Sequence, residues 1–124
     1  MRPKTQVIAV AAGAALRVVN EVDVETYVAG VVPAEIGAGA PIEAMKVQAV
    51  CARSFALARL GGFREGRGRP DVDLSDGTGD QVYVGVPAPN TNLQKAGAAT
   101  SGLYLTWRKK VVCTYFSSSC GGHT

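Results

Sequence analysis

The sequence has no apolar run approaching the roughly 20 residues that a membrane-spanning helix needs. It also lacks a long stripe of lysine and arginine: the formal net charge is only +3, and a basic cluster of Arg64, Arg67 and Arg69 lies in a glycine-rich segment. We interpret that segment as a solvated loop. The sequence therefore predicts no transmembrane segment and no nucleic-acid interface.

Histidine occurs only once, as His123, and it follows the serine run 117–119. No recognised acyl-transfer motif surrounds these residues, which disfavours a serine nucleophile activated by that histidine. We predict instead that Ser118, Ser119, Gly121 and Gly122 belong to a polar loop that lines or supports a substrate site. The glycines would let a ligand approach the backbone closely.

Charged residues are also few, at 19% of the chain, whereas 47% of the residues are hydrophobic. This composition excludes global disorder, and 124 residues are enough for one domain with a core. We expect residues 1–124 to be a single domain that is truncated at its C-terminal end, because the sequence stops in a loop-like stretch.

Hydrophobic periodicity predicts the α+β class, with β-hairpins packed around a central apolar helix. A hairpin of 6–11 and 15–19 with a turn near Gly13 is favoured over a signal peptide. Apolar residues lie on several faces of a helix over 41–60, and a shorter helix is predicted over 91–100. Further strands are expected at 82–86 and in a hairpin of 103–108 with 111–116.

One carboxylate stands out by its position. Glu35 follows the apolar segment 27–32, which we interpret as a strand or a short helix that ends at Pro33, and it precedes the central helix. That helix carries three polar exceptions, Lys46, Gln48 and Arg53, which need partners if they are buried.

The spacing of these polar residues separates their roles. Lys46 and Arg53 are seven positions apart, so they share a helix face, and this face can lie on the same side of the molecule as Glu35. Gln48 lies about 200° around the helix from Lys46, so we predict a buried hydrogen-bonding role for it. For Arg53, substrate contact and a structural clamp on backbone carbonyls or on Asp76 both remain open.

Together these segments resemble the SpoIID/LytB family of bacterial cell-wall proteins. The resemblance rests on six motifs in order: Leu16-Arg-Val-Val-Asn20, Glu25-Thr-Tyr-Val-Ala-Gly-Val-Val-Pro-Ala-Glu35, Glu43-Ala-Met-Lys-Val-Gln-Ala-Val-Cys-Ala-Arg53, Asp76-Gly-Thr-Gly-Asp-Gln-Val-Tyr83, Ala98-Ala-Thr-Ser-Gly-Leu-Tyr-Leu-Thr106 and Ser118-Ser-Cys-Gly-Gly-His-Thr124. It implies an extracytoplasmic domain acting on peptidoglycan glycan strands, in sporulation or other wall remodelling. It also implies Glu35 as the catalytic acid and functional roles for Lys46, Gln48 and Arg53.

Two functions are compatible with this resemblance. Hydrolysis of a glycosidic bond usually takes two carboxylates, whereas a lytic transglycosylase can use one to form a 1,6-anhydro product. Glu35 is the one well-placed carboxylate, because Glu25 and Glu43 look like surface or helix-start residues, so the pattern favours the lyase. The alternative is a non-catalytic wall-binding module that enhances a separate amidase and uses the same groove and the same glutamate motif. From its local sequence alone, Glu35 could also be a capping or loop residue.

The three cysteines leave several states open. Some family members hold zinc through the C-terminal motif, which implies Cys113, Cys120 and His123 as ligands. Asp80 and Ser75 stand here where partner cysteines can occur, and this departure counts against zinc, although Asp80 is a conceivable harder ligand. A Cys113–Cys120 disulfide and free thiols are the alternatives. No cofactor is required by the chemistry above.

Overall fold

Three helices and two hairpins make up the part of the chain that the computed structural model describes, residues 6–60 and 73–122. In chain order the elements are β1 (Gln6–Ala12), β2 (Ala15–Glu21), α1 (Val24–Ile36), α2 (Ile42–Leu60), α3 (Thr91–Thr100), β3 (Thr106–Trp107) and β4 (Lys110–Val111). The predicted α+β class is confirmed. The predicted basic loop with Arg64, Arg67 and Arg69, and the single histidine His123, lie outside the described residues.

β1 and β2 form the antiparallel hairpin expected from the sequence, and their pairing ends with Ala12 opposite Ala15. Gly13 in the turn has a φ of 63°, a left-handed conformation that glycine adopts without a steric penalty. Asn20 Nδ2 donates a hydrogen bond of 3.1 Å to the Tyr83 hydroxyl and so attaches the hairpin to the rest of the molecule.

The apolar segment 27–32 lies inside helix α1, so of the two predicted alternatives the helix is confirmed and the strand is wrong; the helix continues past Pro33 to Ile36. The Asp23 side chain caps the helix by accepting a hydrogen bond from a backbone N–H of the first turn. Pro33 lies inside the helix, and its carbonyl accepts a hydrogen bond of 3.0 Å from the N–H of the C-cap Gly37. Glu35 is therefore a helical residue.

The core lies where the three helices meet. The buried apolar residues that form this core recur at helical spacing, and they are Tyr27, Val28, Val31 and Val32 on α1, Met45, Ala49, Ala52 and Ala56 on α2, and Leu93 and Ala96 on α3. Burial on one helical face thus overrides the strand propensity of the valines in α1. The central position predicted for the 41–60 helix is confirmed. None of the described helices combines the length and the apolar character needed to cross a membrane.

The C-terminal elements also follow the sequence. α3 coincides with the predicted helix 91–100, and the Asn90 side chain caps it by accepting a hydrogen bond of 3.0 Å from Leu93 N. The predicted hairpin of 103–108 with 111–116 is present with shorter strands, and β4 lies against α2.

Residues 82–86 were expected to form a strand, but no strand of the described chain pairs with them, so this prediction is wrong. The backbone N–H groups of this segment form hydrogen bonds with other parts of the molecule instead. Val82 N donates to Glu35 Oε1 at 2.8 Å, and Tyr83 N donates to the Asp76 carbonyl at 3.0 Å. A helix side chain and a loop carbonyl therefore satisfy groups that a neighbouring strand would otherwise satisfy.

Gly30 of α1 is the point where the 83–85 segment comes closest to the helix. A Cβ atom at this position would lie 2.5 Å from Tyr83 Cε2 and 2.6 Å from the Gly85 carbonyl oxygen. We expect Gly30→Ala to lower the free energy of unfolding by about 1–3 kcal/mol, because the segment must move away. Urea unfolding followed by circular dichroism measures this change.

The matched control is Gly97→Ala on α3, where a Cβ would meet nothing within 4 Å. Alanine favours a helix by about 1 kcal/mol over glycine, so this variant should be as stable as the parent or more stable. Equal destabilisation by the two variants would contradict the close packing at Gly30.

Candidate active site

Glu35 is held by a single backbone contact in the last turn of α1. Its Oε1 accepts the 2.8 Å hydrogen bond from Val82 N, and the side chain is half-buried. No other described residue donates a hydrogen bond to Glu35. One carboxylate oxygen is thus oriented by the protein, while the other is available to a ligand.

The Glu35 carboxylate lies in a small cleft of about 160 Å³. Its lining comes from α1, from Phe55 on α2, from the 78–82 loop and from the segment after β4: Glu35, Phe55, Thr78, Asp80, Val82, Thr114, Tyr115 and Phe116. The Tyr115 ring lies edge-on to Phe55 at 6.0 Å between centroids, and 74% of Tyr115 is exposed. Acidic groups beside aromatic rings suit a ligand with apolar faces and polar oxygens, such as a sugar ring.

Asp80 is a second carboxylate in this cleft, but its oxygens are already engaged. Oδ2 accepts hydrogen bonds from Ser75 N at 2.7 Å and Ser75 Oγ at 3.0 Å, and Oδ1 is 3.9 Å from Arg59 Nη2. Its side chain is only 6% exposed. These contacts close the 75–80 turn, so Asp80 acts as a structural acceptor rather than as a free base.

Gln81 fixes this loop on the two long helices. The residue is fully buried, and its Nε2 donates hydrogen bonds of 3.3 Å to the Tyr27 hydroxyl and to the Ala52 carbonyl. Burial raises the pKa of Tyr27 to about 12, and the negative charges of Asp80 and Glu35 add to this shift, although the hydrogen bond from Gln81 opposes it. The Tyr27 hydroxyl therefore stays neutral near neutral pH, and its hydrogen bond with Gln81 holds the loop next to Glu35.

Arg53 pairs with Glu25, not with Asp76. Its Nε and Nη2 donate to the two Glu25 oxygens at 2.8 and 2.7 Å, and its Nη1 donates to the Leu103 carbonyl at 2.8 Å. Arg53 is 1% exposed. Burial favours a higher pKa for Glu25, but the hydrogen bonds from Arg53 and from Gly102 N outweigh it and hold that pKa below its usual value. The backbone clamp considered for Arg53 is thus present.

Lys46 and Gln48 also lie away from the cleft. Lys46 Nζ donates to Glu43 Oε1 at 2.7 Å, one helical turn earlier. Gln48 is buried, but among the described residues its Nε2 has no hydrogen-bond partner. The expectation that Lys46 and Arg53 meet Glu35 on one side is therefore not met, because both are paired with other carboxylates.

In the described part of the C-terminal segment, the cleft is lined by the residues that precede the predicted polar loop. Ser118, Ser119, Gly121 and Gly122 are exposed, and they are not among the residues that line the cleft, whereas the preceding segment 114–116 is. Gly121 N donates a long hydrogen bond of 3.4 Å to Ser119 Oγ, which closes a local turn. A substrate contact of these four residues remains a prediction.

The cysteines Cys51, Cys113 and Cys120 are free thiols, so the Cys113–Cys120 disulfide is not formed. A hydrogen bond with Cys113 raises the pKa of Tyr115, and burial raises that of Cys51. Within residues 6–60 and 73–122, no three potential ligands lie close enough to hold a metal ion. The zinc site stays a prediction, because its proposed ligand His123 lies outside that part of the chain.

A larger groove of about 520 Å³ lies elsewhere, between α1, α3 and the 86–90 loop. Among the described residues that line it, Glu25 is the only acid, and this carboxylate is bound to Arg53. This part of the lining offers no free acid, so we place the candidate active site at Glu35 despite the smaller volume there.

The sequence did not predict the aromatic lining of the cleft, the contacts of Asp80 or the pairing of Glu25 with Arg53. Tyr115 and Phe116 stand at the end of the hairpin strand that the sequence predicts over 111–116, and this position was the available signal. The contact of Asp80 with the cleft, and the pairing of Glu25 with Arg53, depend on how the loop and α1 lie against α2. No local pattern in the sequence carries that information.

Comparison with known proteins identifies the family of the chain. The SpoIID family profile, described as stage II sporulation protein, matches residues 12–107. An uncharacterised protein of Brachyspira hyodysenteriae is 38% identical over 107 residues, which are 86% of this chain and 28% of that protein. The amidase enhancer of Bacillus subtilis is 34% identical over 95 residues, which are 77% of this chain and 12% of that protein.

The chain thus spans about a quarter of one relative's length and about an eighth of the other's. No solved structure matches it significantly. The family profile nevertheless covers most of the chain, including α1, α2, α3 and the cleft residues Glu35 and Asp80. The chain belongs to the SpoIID family.

Proposed function

We propose that this domain is an extracytoplasmic lytic transglycosylase that cleaves the glycan strands of bacterial peptidoglycan. The proposal rests on the Glu35 carboxylate, which lies in a cleft lined by aromatic rings and has only one of its oxygens bonded to a described residue. The other carboxylate of the cleft, Asp80, is engaged by Ser75 and Arg59. A single acid suffices for a reaction in which the sugar supplies its own nucleophile. Family membership supports a role at the cell wall.

The reaction needs one group to act twice. Protonated Glu35 donates its proton to the glycosidic oxygen as the bond to the anomeric carbon breaks. The resulting carboxylate then accepts the proton of the C6 hydroxyl, whose oxygen attacks the anomeric carbon and closes a 1,6-anhydro ring. The hydrogen bond from Val82 N orients the side chain through both steps. No water is consumed.

The direct test is to incubate the chain with purified glycan strands and to analyse the ends by mass spectrometry. Lytic cleavage yields 1,6-anhydro ends, whereas hydrolysis yields reducing ends that are heavier by one water. Exclusively reducing ends would rule out the transglycosylase reaction.

Asp80 provides a second discriminating variant. We expect Asp80→Asn to lower the cleavage rate by less than about tenfold, because asparagine can still accept from Ser75 N and the residue has no acid–base role. Initial rates on glycan strands measure the effect. If Asp80→Asn were as damaging as removal of the Glu35 carboxyl, while the melting temperature stayed unchanged, a two-carboxylate hydrolase would be the better description.

The second candidate function is a non-catalytic module that binds the wall and enhances a separate amidase. It is favoured by the similarity to the amidase enhancer of Bacillus subtilis. In that case glycan strands bind without being cut, and adding the chain to a cell-wall amidase raises the amidase rate. Peptidoglycan and the amidase would then be the partners.

A further inference from the structure

The tip of the β3–β4 hairpin has an unusual backbone. Trp107 pairs with Lys110, and the two residues between them, Arg108 and Lys109, have φ values of 48° and 64°. A two-residue turn of this kind requires positive φ at both positions, and asparagine or glycine normally occupies them. Two long cationic residues therefore hold a conformation that carries a steric cost, at a fully exposed position.

The tip also carries three adjacent positive charges. Arg108, Lys109 and Lys110 are all exposed, and none forms an ion pair with a described acid. Asp80 is the last acidic residue in the sequence, so no carboxylate side chain follows it up to residue 124. The three adjacent cations thus have no counter-ion within the C-terminal third of the sequence.

Exposed apolar side chains precede these cations along the same strand of the hairpin and the residues that lead into it. Trp107 is 70% exposed, Leu103 is 55% exposed and Leu105 is 47% exposed. The Arg108 guanidinium lies 5.8 Å from the centre of the Trp107 ring. Lys110 stands on the same face of the ribbon as Trp107, because paired residues of antiparallel strands share a face. A soluble polyanion would engage the cations alone, whereas a lipid interface accommodates both the cations and the tryptophan.

We propose that this tip, together with the exposed residues from Leu103 that lead into it, is a contact site for an anionic lipid surface. The three cations meet headgroup phosphates, and Trp107 with the two leucines enters the boundary between headgroups and acyl chains. The contact is peripheral and reversible. It would hold the domain at the membrane face independently of the chemistry at Glu35.

The chain contains one tryptophan, Trp107, so its fluorescence reports on the tip directly. The experiment mixes the full chain with vesicles of phosphatidylcholine, or of phosphatidylcholine and phosphatidylglycerol in equal parts. The expected result is a blue shift of the emission and co-sedimentation with the anionic vesicles only. Lys109→Ser should weaken this binding roughly fivefold, as the loss of one cation near an anionic surface predicts.

Lys95→Ser on α3 is the matched control, since it removes one exposed cation outside the tip. An equal loss of binding in Lys95→Ser and Lys109→Ser would overturn the proposal, because net charge alone would then be responsible. Absence of a blue shift with anionic vesicles would also overturn it, as would unchanged binding by Trp107→Ser. Binding to soluble polyphosphate as tight as to the anionic vesicles would identify a polyanion site instead.

Discussion

Glu35→Gln is expected to reduce formation of 1,6-anhydro ends by roughly 10²- to 10⁴-fold, the usual contribution of a general acid–base group. Glutamine keeps the shape of the side chain, and its Oε1 can still accept the hydrogen bond from Val82 N. The amide can neither donate a proton to the glycosidic oxygen nor accept one from the C6 hydroxyl. The fold should therefore survive while the chemistry is lost.

Initial rates on glycan strands, measured beside circular dichroism and a thermal melt, check this expectation. The matched control is Glu43→Gln, which removes an exposed carboxylate at the start of α2 that has only Lys46 as its partner. Its activity should equal that of the parent. Persistence of 1,6-anhydro products in Glu35→Gln would show that another group performs the proton transfers.

Glu25→Gln is expected to have the largest effect on stability among the variants considered, about 3 kcal/mol in the free energy of unfolding. The substitution leaves the Arg53 guanidinium 1% exposed and without its counter-ion. Breaking a buried ion pair from one side costs about 3–5 kcal/mol, and the lower value applies because the Glu25 side chain is 37% exposed. Chemical denaturation measures the difference.

Glu43→Gln serves again as the matched control, because it breaks an exposed i,i+3 pair that contributes less than about 1 kcal/mol. Equal stability losses in the two variants would contradict the buried character of the Arg53 pair.

The Glu25 pair also predicts a pH dependence. The pKa of Glu25 is lower in the folded state than its usual value of 4.5, so the folded protein binds fewer protons there than the unfolded chain. The resulting stability is fully present above that usual value and is lost as the pH falls through the lowered pKa. The difference between parent and Glu25→Gln should therefore be constant near neutrality and shrink in acid.

The sequence predicted the elements whose signals are local. α2, α3 and both hairpins follow from periodicity, caps and turns. For α1 it left a strand and a short helix open, because valines before a proline are typical of a strand end, whereas the N-cap Asp23 indicates a helix. It failed at 82–86 because an alternating segment becomes a strand only when another strand is available to pair with it.

The candidate site was predictable only in part. The position of Glu35 ahead of α2 drew attention to the correct residue, and family resemblance gave it a role to test. Its contact with Val82 N joins positions 47 apart in sequence, and the ion pair of Glu25 with Arg53 joins positions 28 apart. Such contacts depend on how α1 crosses α2, and the crossing is a property of packed helices that hydrophobic spacing does not specify.

The β1–β2 hairpin and the three-helix core are expected to unfold as two separate cooperative units. The hairpin face with Val7, Leu16 and Val18 is 68–75% exposed, and neither strand lies against a helix in the described part of the chain. A two-stranded hairpin is only marginally stable without such cover. It can therefore open and close as a separate unit while the three-helix core stays intact, and its backbone amides would be the first to exchange with solvent.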